Sequence, residues 1–233
     1  MATSRGSLYV SAVNSHISRM SVIAKICGLS SEAGVAAAVE GGAAFLGFVF
    51  YPPSPRSIDP ARAAALCAAV PPEIKRVGLF VDADDAAIWA VLNEAPIDIL
   101  QFHGSESPER VVEAKWRFNR PVMKAIAIAG PEDVLAASRY EDDADMLLFD
   151  AKPPHRKDAL PGGNGLAFDW RLIAGRRWPR PWMLSGGLTA ALLLEAVTVS
   201  GATAVDVSSG VERRPGDKDP NKIHEFLKMA ATL

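Results

Sequence analysis

Along almost the whole chain, short apolar runs rich in β-branched residues alternate with longer Ala- and Leu-rich amphipathic stretches. Apolar runs of about four to eight residues read as buried strands, and longer runs with a period near 3.6 read as helices. Strands are predicted at 22–27, 45–50, 76–81, 98–102, 122–126, 145–149, 182–184 and 204–207. Helices are predicted near 31–40, 60–69, 86–94, 108–116, 131–137, 169–173, 190–200 and 220–231. Pro60, Pro108, Pro131 and Pro220 each fall at a predicted helix start, where the missing N–H costs little. Asp59, Ser107 and Asp219 precede three of these prolines as N-caps.

Strand and helix in strict alternation call for a parallel sheet covered by helices. An open doubly wound sheet is the rival arrangement. Eight units in one domain favour closure, so the expected fold is α/β, a (β/α)8 TIM barrel forming a single domain over residues 21–233. The length of 233 residues is slightly short for such a barrel but long for most other single domains, and 49% hydrophobic residues supply a large core. Residues 1–20 are Ser-rich, carry Arg5 and Arg19, and have no acidic residue, a superficial likeness to a transit peptide. Without a clean apolar core and cleavage site they are expected to be a dispensable, poorly ordered extension.

A net charge of −2 leaves no footprint for nucleic acid, and no apolar run reaches the length of a membrane span, so neither partner is expected. Cys27 and Cys67 have neither disulfide-framework nor metal-ligand spacing, which fits a reducing cytoplasm. His16, His155 and His224 show no ligand pattern, and no metal is expected.

Chemistry in a barrel of this kind collects at the C-terminal ends of the strands. Cys27 ends the first strand in Lys25-Ile26-Cys27-Gly28, and Asp150 ends the sixth, nearly across the barrel. A thiol and a carboxyl so placed can serve as base and acid on one sugar-sized substrate. Taken singly, a lone thiol is usually a buried structural residue, and a strand-end Asp is often a cap. Two small-residue loops strengthen the pair: Ser185-Gly186-Gly187-Leu188 after strand seven, and Ser208-Ser209-Gly210 after strand eight. Loops at those two places form the recurrent phosphate cradle of these barrels, with Gly163 in the loop after strand six as a third wall. Neither loop contains Lys or Arg, which leaves backbone N–H groups as donors.

Other polar residues fall at the same end. His103 ends strand four, Arg56 sits in the proline-rich loop after strand two, and Asp206 lies on strand eight. Lys25 and Cys27 share a parity and point inside, and strand eight closes against strand one. An interior Lys25–Asp206 ion pair beside the thiol is therefore expected. Cys67, in an Ala-rich helix, reads as core.

The ordered motifs Lys25-Ile26-Cys27-Gly28, Gly47-Phe48-Val49-Phe50 with Ser54-Pro55-Arg56, Gln101-Phe102-His103-Gly104, Ser185-Gly186-Gly187 and Val205-Asp206-Val207-Ser208-Ser209-Gly210-Val211-Glu212 resemble the phosphoribosylanthranilate isomerase family. The resemblance spans residues 25–227, departing in Phe102 where Leu is usual and Asn164 where Thr or Ser is usual. It implies a cofactor-free Amadori rearrangement of a phosphosugar in tryptophan biosynthesis by a monomer. It further implies Asp150 as general acid toward the furanose oxygen, Cys27 as general base at C2, and Arg56 on the anthranilate carboxylate. The histidine-pathway sugar isomerase, which uses two Asp residues, and indoleglycerol-phosphate synthase, which needs a catalytic Lys, fit less well. A non-catalytic phosphate-binding barrel would need no matched acid and base.

Overall fold

Eight parallel strands pair in chain order, and the last closes on the first. The computed structural model describes residues 21–153 and 160–233. The expected extension at 1–20 and the segment 154–159, with His155, lie outside the described residues. The barrel strands are β1 (Ile23–Cys27), β2 (Phe45–Val49), β3 (Lys75–Phe80), β4 (Ile99–Phe102), β5 (Val122–Ile128), β6 (Met146–Ala151), β7 (Trp182–Leu184) and β8 (Ala204–Val207). The helices are α1 (Glu32–Glu40), α2 (Pro60–Cys67), α3 (Asp85–Glu94), α4 (Pro108–Phe118), α5 (Pro131–Ala137), α6 (Leu193–Ser200) and α7 (Pro220–Ala230). A small antiparallel hairpin, β9 (Glu212–Arg214) and β10 (Asp217–Lys218), stands between β8 and α7.

Local chemistry sets the helix starts. Ser31, Asp59, Asp84, Ser107 and Asp219 are extended N-caps whose side chains accept backbone N–H groups of the first turn. Three of these caps, Asp59, Ser107 and Asp219, were legible from the proline that follows each. One expected helix is absent: 169–173 forms only a 3-10 turn, Trp170–Leu172, capped by Asp169. Gly175 adopts φ +70° just beyond it, and Pro179 and Pro181 follow, so no run remains for a regular helix.

Strand parity divides the apolar residues into two cores. Outward-facing Ala24, Ile26, Leu46 and Phe48 join helix residues such as Val35, Leu66 and Phe226 in the large shell between barrel and helices. Inward-facing Phe45, Val77, Ile99, Met123, Leu148 and Met183 fill the barrel as a smaller core. Above that plug the inward positions turn polar: Lys25, Gln101, Ser185 and Asp206 are all buried. Cys27, Val49 and Leu79 then pack together as a separate cluster. The barrel is thus apolar at one end and chemically equipped at the other.

Replacing Asp59 by Ala removes the acceptor 2.7 Å from the Arg62 N–H. The expected loss is about 1 kcal/mol, a fall in Tm of about 2–4 °C for a domain of this size. A thermal melt with an unchanged midpoint would show that this cap contributes nothing.

Candidate active site

One cavity opens at the C-terminal ends of the strands, with an empty volume of about 730 Å³ including its open mouth. Cys27, Arg56, His103, Asp150 and Asp206 line it, as do Gly163, Gly186, Gly187, Ser208, Ser209 and Gly210. All the residues singled out from the sequence as catalytic, substrate-binding or phosphate-binding thus meet at one place.

The Cys27 side of the cavity is built on the seam between β1 and β8. Their register sets Lys25 opposite Asp206, and Lys25 Nζ donates to Asp206 Oδ1 at 2.8 Å. Asp206 Oδ2 accepts from Ser185 Oγ at 3.1 Å. The register also sets Cys27 opposite Gly47. A Cβ on Gly47 would lie 2.9 Å from Cys27 Sγ and 3.1 Å from Lys25 Nζ, so the missing side chain makes room for both. Burial acts to lower the pKa of Lys25, but the attraction of Asp206 and of the neighbouring thiol outweighs it, and the ammonium is held charged. Burial pushes the Cys27 thiol up, opposed chiefly by Lys25 and more weakly by Lys218. Cys67, buried at the end of α2, is pushed up to about 11 by desolvation and lies outside the cavity.

Across the mouth, Asp150 lies on β6 itself rather than just beyond it, because the strand continues to Ala151. Its Oδ2 is 3.2 Å from His103 Nε2, and its Oδ1 accepts the N–H of Ala151 at 2.9 Å. His103 Nδ1 in turn sits 3.0 Å from Gln101 Nε2.

The loops after β6, β7 and β8 line the remaining side of the cavity. Gly186 and Gly187 have φ +88° and +64°, a left-handed path that L side chains rarely take, and added Cβ atoms would meet backbone at 2.8 Å in both cases. The chain can therefore present its backbone closely to a ligand there. Asn164 closes its loop by donating to the Leu160 carbonyl at 2.7 Å, a contact its amide supplies in place of a hydroxyl.

Arg56 meets a carboxylate bidentately, as its geometry invites, but that carboxylate belongs to the protein. Nε reaches Glu212 Oε1 at 2.8 Å and Nη2 reaches Oε2 at 2.9 Å, with the Gly163 carbonyl 3.2 Å from Nη2. Nη1 makes no hydrogen bond among the described residues. Lys218, also buried, donates to Glu212 Oε1 at 2.7 Å and to the Ser208 carbonyl at 2.9 Å. Burial lowers the pKa of Lys218; burial acts to raise Glu212, but Arg56 and Lys218 hold it below the usual carboxylate range.

Gln101, Glu212 and Lys218 were not among the residues chosen from the sequence. Gln101 could have been found, since it shares an inward parity with His103 two positions later. Lys218 and Glu212 depend on the β9–β10 hairpin, which breaks the strand–helix alternation and leaves no periodic signal.

The chain matches known proteins over most of its length. The family model for N-(5'-phosphoribosyl)anthranilate (PRA) isomerase matches residues 24–229. The N-(5'-phosphoribosyl)anthranilate isomerase of Paracoccus denitrificans is 56% identical over 212 residues, covering 91% of this chain and 98% of the relative. A structure of monomers generated from the dimeric phosphoribosylanthranilate isomerase of Thermotoga maritima superposes with a TM-score of 0.77 at 35% identity, covering 91% of this chain and 100% of that one. A phosphoribosylanthranilate isomerase in complex with reduced 1-(o-carboxyphenylamino)-1-deoxyribulose 5-phosphate gives a TM-score of 0.78 at 35% identity, with the same coverage.

The Lys25–Asp206 pair carries a testable electrostatic effect. Lys25 lowers the Cys27 pKa by more than Asp206 raises it, so removing both charges moves thiolate formation to higher pH. The double variant Lys25→Met with Asp206→Asn avoids stranding one buried charge, which would cost about 3–5 kcal/mol. Alkylation of Cys27, followed by peptide mapping against pH, is expected to rise at a higher pH in that variant. An unmoved profile would show that the pair does not act on the sulfur.

Proposed function

The chain belongs to the N-(5'-phosphoribosyl)anthranilate isomerase family, and from that premise we propose how its residues divide the work. The reaction is the Amadori rearrangement of N-(5-phosphoribosyl)anthranilate to 1-(2-carboxyphenylamino)-1-deoxyribulose 5-phosphate, a step of tryptophan biosynthesis. It moves protons within one molecule and has no net oxidation.

Asp150, as the acid, protonates the furanose ring oxygen, and the C1–O bond breaks to give a protonated Schiff base. The positive charge on that nitrogen acidifies the C2–H bond and favours the thiolate form of a nearby cysteine. Cys27 then takes the C2 proton, and the electron pair of the C–H bond moves to form the enolamine. Protonation at C1 and loss of the O2 proton complete the ketone, so base and acid end as they began. Lys25 supports the thiolate against the cost of burial.

Binding is divided in the same way. The phosphate rests on the backbone of Gly163, Gly186, Gly187, Ser208, Ser209 and Gly210. Arg56, fixed by Glu212, offers Nη1 to the anthranilate carboxylate, a single-ended contact rather than a fork. His103 and Asp206 face the ribose hydroxyls. The observation that carries this reading is that the thiol and the acid line one cavity with the glycine cradle between their loops.

Two further readings concern the whole protein. The large apolar side chains left exposed, among them Trp89, Trp116, Leu135 and Leu194, are divided among four helices, α3, α4, α5 and α6, which supports a monomer. Both cysteines are unpaired and, among the described residues, no helix is long and apolar enough to cross a membrane; these support a cytoplasmic location. Residues 21–233 hold every proposed site residue, so a chain begun at Met20 should retain full turnover.

Cys27→Ser and Asp150→Asn should each lower kcat by at least about 10²-fold, the usual contribution of a positioned acid or base. Loss of substrate fluorescence, with phosphoribosylanthranilate generated in place, measures it. Near-normal turnover in either purified variant removes that residue from its role. Light scattering should return the mass of one chain, and twice that mass would replace the monomer by a dimer.

A further inference from the structure

The loops after β7 and β8 contain no Lys or Arg, yet a buried ammonium is bonded to one of them. Lys218, on the hairpin strand β10, is buried and forms no part of the cavity wall, whereas Ser208, Ser209 and Gly210 all do. An ammonium has three hydrogens, and here all three are used. They reach Glu212 Oε1 at 2.7 Å, the Ser208 carbonyl at 2.9 Å and Ser208 Oγ at 3.1 Å. Lys218 therefore has no donor left for a ligand.

Charge balance does not account for this lysine. Glu212 is already matched by Arg56, whose Nε and Nη2 bond both of its oxygens. A second buried cation adds a desolvation penalty that neutrality did not require, and burial does lower the pKa of Lys218. Two of its three hydrogen bonds go to Ser208, so its purpose is sought there.

The peptide between Ser208 and Ser209 is planar and trans, so its carbonyl and its N–H point in opposite directions. Holding the carbonyl on Lys218 fixes the N–H of Ser209 on the other side, away from the ammonium. The same carbonyl accepts the Val211 N–H at 3.3 Å, which closes the turn at Ser209–Val211. Within that turn the N–H groups of Ser209 and Gly210 meet no acceptor among the described residues. An ammonium on the carbonyl also polarises the peptide and strengthens its N–H as a donor. Ser208 Oγ, an acceptor toward Lys218, keeps its own hydrogen for another oxygen.

We propose that Lys218 is a positioning residue: through Ser208 it sets the loop after β8 in the shape that receives the substrate phosphate, without touching it. This inference rests on the reading that the glycine loops hold that phosphate. The β9–β10 hairpin, which interrupts the strand–helix alternation, then has a task, since it brings Glu212 to Arg56 and Lys218 to Ser208.

Lys218→Met leaves the Arg56–Glu212 pair balanced and strands no charge. The measurement is the affinity of the reduced product analogue with its phosphate and with the phosphate removed. In Lys218→Met the phosphate-bearing form should bind about tenfold more weakly, the loss of one charge-assisted hydrogen bond. The dephosphorylated form should stay within about twofold of its affinity for the unaltered protein. Inorganic phosphate, as a competitive inhibitor, should weaken by about the same tenfold. Lys218→Gln, which removes the charge, should show the same selective loss and serves if the Met variant does not fold. Equal weakening of both forms, or no weakening in a folded variant, overturns the proposal. If the unaltered protein gains no affinity from the phosphate, the cradle reading falls as well. If it gains affinity and the variants match it, only the role of Lys218 falls.

Discussion

The ion pair of Lys25 with Asp206 ties the closure of the barrel to its chemistry. A fully buried ammonium is tolerable only with a partner, and the partner here lies on the last strand while the lysine lies on the first. The contact therefore exists only when β8 has met β1 in the right register. Cys27, two residues after Lys25 on the same inward face, receives its electrostatic setting from the same event. A register slip of one residue would turn both side chains into the outer shell.

Around that seam the buried charges are arranged in sequence. Lys25 answers Asp206, and Arg56 and Lys218 answer Glu212. The cations outnumber the anions by one, which suits a pocket that must receive a thiolate or an anionic substrate. The opposite wall carries Asp150, His103 and Gln101, with the buried Lys124–Glu106 pair behind it. One half of the mouth thus gathers buried cations and the other a carboxyl and an imidazole, which gives Cys27 and Asp150 distinct surroundings within one cavity.

Much of this could be read from the residues in order. The strand–helix rhythm predicted the barrel because parallel strands buried on both faces leave continuous apolar runs, and β7, only three residues long, was still visible between its flanking loops. The Lys25–Asp206 pair was legible because parity and closure fix which side chains can meet. The glycine loops were legible from position alone. Other features were not. The turn at Trp170–Leu172 carries helix-like residues but too few of them before Gly175. The clamp of Glu212 on Arg56 depends on a hairpin without periodic pattern, so the arginine was assigned a carboxylate without the knowledge that one was already present. The Gln101 contact was overlooked although the parity it shares with His103, two positions later, already sets both side chains on the inward face.

The central claim is that the sulfur of Cys27 and the carboxyl of Asp150 flank one sugar whose phosphate is held by the glycine loops. A crystal structure of this protein with a reduced, non-reacting analogue of the ketose product tests it most directly. The account predicts C2 of the analogue against Cys27 Sγ, its C4 oxygen against Asp150, and its phosphate on the backbone of Gly186 and Gly187. A bound analogue with its phosphate elsewhere, or with both side chains on the same face of the sugar, would contradict it.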